Sequence, residues 1–484
     1  MSPTLLFTFV IAYFALLLVV AYITSRNSTN DSFFIGNKNS NWMLVAFGMI
    51  GTSLSGVTFV SVPGTVAVSA FSYMQVVIGY LLGYIVISYV LLPIYYKMNL
   101  TSIYNYLQQR FGFTAYKTGA LFFILSRTVG ATARLYLVIN VMQVFILDKL
   151  GIPFIVTALV ILLMILLYTF EGGVKTIVYT DTLQTSFMLL GLVVCILYIM
   201  SNLGLGFGET MSALADKGYT NIFNTDVNSK GFFLKQILGG AFITIAMTGL
   251  DQEMMQKNIS VKTLKDSQKN IMTFSVIIVF VNFLFLLLGG LLYLFAAENG
   301  LSVAGDDLFP TVALNYLPPI TAVIFIIGLI SALFPSADGA LTALTSSFCI
   351  DMLGIKRNPN LAEAQQKRIR MTVHLSFTVV FMLCILIFKW IDNKSIIGVI
   401  LDLAGYTYGP LLGLFSFGIL TRRQFPDSFV VTLICLISPV ISYLISRYSG
   451  DMLGGYQIGI ELLLINGMIT FLGLWAISRK PAFT

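Results

Sequence analysis

Charge is scarce in this chain: Asp, Glu, Lys and Arg make up only 10% of 484 residues. A soluble domain carries about 25%, so a fold that faces water all round is excluded. Cysteine is limited to four copies, Cys195, Cys349, Cys384 and Cys435, all inside apolar runs and none closely paired. That pattern argues against a disulfide framework and against a zinc site. A single histidine, no HExxH and no Gly-x-Gly-Asp aspartates leave an intramembrane enzyme without a base or a metal ligand set. No GxxxxGKS/T loop is present to cradle a nucleotide, so ATP is not the energy source. No stretch is left over for a fused kinase, cassette or receptor module.

What is there instead is hydrophobic. Apolar residues reach 57%, and mean hydropathy is +0.89. Runs near twenty residues alternate with short polar loops, which matches a hydrocarbon core about 30 Å thick. Backbone polar groups in lipid must be satisfied within their own segment, so these runs read as helices. The alternating ten-residue segments of a membrane β-barrel are missing. The fold class is therefore an all-α integral membrane protein with the lipid bilayer as solvent.

Thirteen spans are predicted. A leading span covers about 4–24, read as retained rather than as a signal peptide. Ten core spans follow at 42–62, 73–96, 117–147, 153–170, 180–200, 234–250, 270–297, 311–350, 371–390 and 396–420. Two trailing spans cover 427–447 and 458–477. The net charge of +7 is a topology signal rather than a nucleic-acid patch. With the N-terminus outside, nineteen of the 28 Lys and Arg residues fall in or beside inside loops, among them Lys257, Lys262, Lys265, Lys269 and Arg370. Seven fall outside and two lie within core span 3. The C-terminus is then cytoplasmic. The corresponding units are 1–30, 42–200, a loop at 201–233, 234–420, and 421–484. Nothing marks an obligate protein partner.

Ionisable groups inside apolar runs default to functional hypotheses. Arg127 and Arg134 in core span 3 are seven apart and share a helix face. Such a pair suits a substrate carboxylate, unless one or both pair with buried acids such as Asp181 or Asp338. Asp181 sits at the predicted start of core span 5, where it could be hydrated, cap the helix or bind a cation. Asp338 lies deep in core span 8, beside Pro335 and Ser336. A proline loosens the local ladder and frees carbonyl oxygens, and carbonyls with a hydroxyl and a carboxylate suit a hard cation. Pairing with a core span 3 arginine is the bland alternative. Core span 1 reads Gly48-Met49-Ile50-Gly51-Thr52-Ser53-Leu54-Ser55-Gly56-Val57-Thr58, a density of Gly and hydroxyls that favours either close packing or a helix break. Asp402, Glu461 and His374 receive no role.

The chain resembles the sodium:solute symporter family over most of its length. The likeness rests on Ser55-Gly56-Val57-Thr58-Phe59, on Tyr95 to Gly112, and on the Gly172–Gln184 stretch. Thr248-Gly249-Leu250-Asp251-Gln252 and Gly405-Tyr406-Thr407-Tyr408-Gly409-Pro410 complete it. The resemblance implies a LeuT-type core, an inverted five-plus-five repeat with one leading and two trailing helices, working by alternating access. It implies co-transported Na+ as the only ion and no organic cofactor, in a plasma (inner) membrane. Carried over position by position, the main sodium site falls on Gly51, Leu54, Ala332 and Ser336. Pro335 replaces a hydroxyl there, and Asp338 supplies the missing ligand. Asp181 matches a second sodium site. Ser53, Ser55 and Thr58, with Arg127 and Arg134, match substrate positions and favour a small organic anion such as a sialic acid or monocarboxylate. A sodium/sugar symporter and a proton-coupled symporter using Asp338 remain as alternatives. A passive channel would need a ring of repeated polar groups, which one asymmetric Asp338 does not provide.

Overall fold

The structure is a computed structural model describing residues 3–26, 29–170, 173–391, 403–452 and 454–480. Among them no strand forms, and helices carry the fold. The leading helix α1 spans Pro3–Ser25. Next come α2 (Trp42–Ser53) and α3 (Gly56–Gly64), bent 53° apart. Then α4 (Tyr73–Lys97), α5 (Phe113–Leu150), α6 (Phe154–Thr169) and α7 (Gly173–Asn202) follow. A second bent pair, α8 (Phe233–Gly249) and α9 (Gln252–Ile259), turns through 65°. The remainder is α10 (Leu264–Glu298), α11 (Pro319–Met352), α12 (Glu363–Ile391), α13 (Gly409–Leu420), α14 (Phe429–Met452) and α15 (Leu462–Ile477). Eight of these are long and apolar enough to cross a membrane, or ten if each bent pair is one span, and α6, α13 and α15 are shorter apolar helices.

The breaks follow from local chemistry. α2 stops where Leu54 leaves helical geometry (φ −92°, ψ 84°) and Ser55 becomes extended. The second break is capped by Asp251, whose carboxylate accepts from the backbone N–H of Glu253 and Met254, the usual way to satisfy orphan donors at a helix start. Carbonyls freed at that break also find partners. The Tyr95 hydroxyl donates to Gly249 O (2.8 Å) and the Tyr104 hydroxyl to Leu250 O (2.9 Å). Without them the unwound segment would hold unsatisfied carbonyls at membrane depth, which lipid does not permit.

α11 is the innermost span, with 83% of its apolar window buried against 22% for α14. It packs on α7, and both pack on α2. Gly51 allows that approach. A Cβ there would strike the Thr185 hydroxyl of α7 and come within 3.4 Å of Pro335 on α11.

Three sequence expectations change. Core span 5 begins at Gly173 rather than 180, so Asp181 lies two turns inside a helix and is 1% exposed. It neither caps a terminus nor meets water. The inside loop expected after residue 250 begins instead with the buried helix α9. Lys257, counted among loop charges, is 3% exposed there. A loop reading failed because α9 is too polar to register as a span, yet its charged groups pair with groups on other helices, Glu253 with Arg127 and Lys257 with Asp181. The start of core span 10, including Asp402, lies outside the described residues, as does Gly172.

Candidate functional site

The two helix breaks face a polar cavity of about 90 Å³. Ser53 and Thr58 reach it from α2 and α3, and Arg127 and Arg134 from α5. Ser55, the fifth expected substrate residue, is buried outside this lining. Tyr73, Tyr80 and Tyr84 of α4 and Asn282 of α10 complete the polar wall. The Tyr73 and Tyr80 hydroxyls are 3.0 Å apart, and both lie within electrostatic reach of Arg134. Asn282 keeps a buried Oδ1 without a partner.

The arginines have different surroundings. Arg127 is ion-paired with Glu253 and lies 3.8 Å from Asp251. Sequence reasoning allowed for pairing with Asp181 on α7 or Asp338 on α11, but the acids that Arg127 meets are Glu253 of α9 and Asp251, which caps it. Among the described residues, Arg134 makes no ion pair and no hydrogen bond, so its guanidinium is the open cationic donor of the cavity. A planar fork in that position matches a carboxylate in two parallel hydrogen bonds.

The expected cation residues lie on α2, its C-terminal cap, α7 and α11, and Leu54 also lines the cavity. Gly51 and Leu54 flank the end of α2, and Gly51 lies against Pro335. Ala332 and Ser336 are buried on α11, with the Ser336 hydroxyl donating to Leu333 O at 3.0 Å. Pro335 does not interrupt α11. Asp338 is fully buried. Its Oδ2 accepts from the Tyr168 hydroxyl at 2.6 Å, and its Oδ1 accepts from the Gly339 N–H at 2.5 Å. The alternative pairing with an α5 arginine is not what forms. Asp181 lies within electrostatic reach of Asp338. It accepts from the Thr52 hydroxyl at 3.1 Å and from the Lys257 ammonium at 2.6 Å. Glu253 fits beside α11 because position 339 is glycine, where a Cβ would meet the carboxylate carbon at 2.8 Å.

A family model described as the sodium:solute symporter family matches residues 33–425. The chain belongs to that family. The sodium/sialic acid symporter SiaT of Proteus mirabilis is 24% identical over 94% of this chain and 92% of its own length. The sodium/sialic acid symporter NanT of Aliivibrio fischeri is 24% identical over 88% and 85%. Among solved structures, a Na+-coupled sialic acid symporter in a substrate-bound, outward-open state superposes with a TM-score of 0.84. That likeness comes at 20% identity and covers 98% of this chain and 99% of that one. Mhp1, a nucleobase-cation-symport-1 family transporter, shares the fold more distantly, with a TM-score of 0.55 at 13% identity over 93% and 94%.

For a sodium:solute symporter, the residues missed in the sequence are as informative as those found. Asp251, Glu253 and Lys257 were visible as charges after Gly249, but hydropathy assigned them to a loop. Their spacing carried a signal: 253 and 257 are four apart, and on a helix they share one face. The α4 tyrosines carried none, because an aromatic in an apolar run reads as packing.

Proposed function

We propose that this chain is a sodium-coupled secondary symporter that carries a small organic anion, with Arg134 receiving the solute carboxylate. The open guanidinium of Arg134, in a cavity at two helix breaks, carries the reading. A half-buried cation with no ion pair of its own among the described residues is incompletely compensated, and a carboxylate solute would balance it. Ser53, Thr58, Tyr73 and Asn282 offer hydroxyl and amide groups to the rest of a polyhydroxylated or otherwise polar anion. The sialic acid symporters similar to this chain transport a solute of that class, which supports the assignment.

Sodium is the co-transported ion. Its main site lies on Gly51, Leu54, Ala332 and Ser336, with Asp338 providing the carboxylate in place of the hydroxyl that Pro335 lacks. Two observations support it: Leu54 leaves the α2 ladder, and Asp338 has no cation paired to it among the described residues. Thirteen spans are reached in this reading by counting each bent pair and each of the three shorter apolar helices as a span beside the eight long helices. Ten of them form a five-plus-five inverted core between one leading and two trailing helices, in a plasma (inner) membrane with the N-terminus outside and the C-terminus cytoplasmic.

Thermal unfolding of the purified protein in sodium and then potassium, against sialic acids, monocarboxylates, sugars and amino acids, tests the reading. A ligand of the folded state raises its stability with occupancy. A carboxylate solute that stabilises in sodium but not potassium, and not in Arg134→Ala, is the expected result. Stabilisation by a neutral sugar, retained in Arg134→Ala, overturns the anion assignment.

A further inference from the structure

Lys257 is buried where a cation would sit. Its ammonium donates to Asp181 Oδ2 and to the Thr52 hydroxyl, both at 2.6 Å, and lies 3.7 Å from Glu253 Oε1. The Thr52 hydroxyl in turn donates to Asp181. Three oxygens from three separate helices, α2, α7 and α9, thus surround one positive charge. Carboxylate and hydroxyl oxygens are the ligand type that a hard cation takes, and Thr52 lies between Gly51 and Leu54, the two residues of the first break assigned to the main site.

The charges divide in a definite way. Arg127 answers Glu253 and Asp251, and Lys257 answers Asp181. Asp338 has no paired cation among the described residues. A sodium ion added at the same Asp181 oxygen would meet the ammonium within a few ångströms in a region of low dielectric, where like charges repel strongly. Asp181 Oδ1 has no hydrogen-bond partner among the described residues, but a sodium ion there would still lie within a few ångströms of the ammonium, so Lys257 disfavours sodium at either oxygen.

We propose that Lys257 is a tethered cation that takes the place of a second sodium ion at Asp181, so the transporter binds one sodium fewer than a member with both sites open. The inference rests on the sodium-coupled reading only for the absolute number of ions. Its own content is the difference that Lys257 makes. A tethered charge does not leave with the solute. One sodium and one monovalent organic anion then cross together, and the cycle moves no net charge.

Sodium itself is the probe. Binding of ²²Na+ to the full-length protein in detergent, at constant ionic strength made up with potassium, gives the ions held per chain. Lys257→Gln opens the Asp181 carboxylate, and the count is expected to rise by one over wild type, with a steeper sodium dependence of thermal unfolding. Asp181→Asn is expected to leave the wild-type count unchanged. The double variant Asp181→Asn/Lys257→Gln, which removes the pair together, returns to the wild-type count. A wild-type count that falls by one in Asp181→Asn overturns the proposal, as does a folded Lys257→Gln that gains no ion. Should Lys257→Gln unfold in potassium, its recovery by sodium supports the proposal. Failure in both salts leaves the decision to the Asp181→Asn count, unchanged in support or reduced in refutation. A wild-type count of zero would remove sodium coupling, yet a gain of one in Lys257→Gln would still establish the tethered cation.

Discussion

Arg127 and Arg134 sit two turns apart on α5 and line the same cavity, yet their neighbours give them different work. Arg127 faces the acids of α9 and its cap. Its replacement by Ala would leave Asp251 without its ion pair and Glu253 with only Lys257 at 3.7 Å, a loss of about 3–5 kcal/mol by analogy with other broken buried pairs. Thermal unfolding should show that loss with or without solute. Arg134→Ala should leave folding nearly intact and weaken carboxylate solutes instead. A charge-assisted hydrogen bond contributes about 1.5–3 kcal/mol, so solute affinity should fall roughly tenfold to 150-fold in a binding titration. Arg134→Lys should recover only part of it, since an ammonium does not present the guanidinium fork. Outside the spans, burial, with the neighbouring Asp307 charge, pushes the Asp306 carboxyl up to about 6. Because its folded value lies above its unfolded one, the fold favours the protonated form. Its stabilising contribution is full below about pH 4 and is lost as pH rises through 6. Asp306→Asn should therefore raise the unfolding temperature at pH 7–8 and leave it unchanged at pH 4.

At the scale of elements, the two bent pairs build the site, and each break needs particular chemistry to persist. The α8–α9 break is held by the Asp251 cap and by two tyrosine hydroxyls on Gly249 O and Leu250 O. Tyr95→Phe/Tyr104→Phe keeps the rings and removes both donors. Each buried carbonyl left unsatisfied costs about 1–3 kcal/mol, so the double variant should lose roughly 2–6 kcal/mol in denaturant unfolding. Gly339 is the complementary device. Gly339→Val would push Glu253 off α11 and loosen the Arg127 and Lys257 pairs together, lowering both stability and sodium affinity. Hydropathy located α8 but lost α9, because periodic burial of charge depends on partners from other helices. The α2–α3 segment was readable only as either close packing or a break, and the structure shows the break.

At the scale of the whole molecule, the proposed sodium site would link the inner helices. α2, α7 and α11 meet at Gly51, Thr185, Pro335 and Asp181, so an ion held between α2 and α11 should stabilise the folded state. At a hundredfold excess over its dissociation constant, one sodium adds about 2.7 kcal/mol. A rise in unfolding temperature in sodium over potassium, absent in Asp338→Asn, is the expected outcome. A stability that follows pH and ignores sodium, with the pH dependence lost in Asp338→Asn, would instead place a proton on that carboxylate.

The class and the positions of most long apolar spans were legible along the chain, because a bilayer imposes a one-dimensional rule. Each span must be apolar over a set length, so any Arg or Asp inside one is conspicuous wherever the rest of the fold lies. The motifs around Ser55, Asp251 and Tyr408 pointed to the family on the same linear basis. Which charge meets which was decided only by tertiary structure. Arg127 was open to pairing with acids such as Asp181 or Asp338 and instead meets Glu253 and Asp251, and Lys257 looked like a solvated loop residue until α9 turned inward against α2 and α7. Electrostatic pairing depends on distances of a few ångströms between residues up to 126 positions apart in the chain, and no local pattern encodes them.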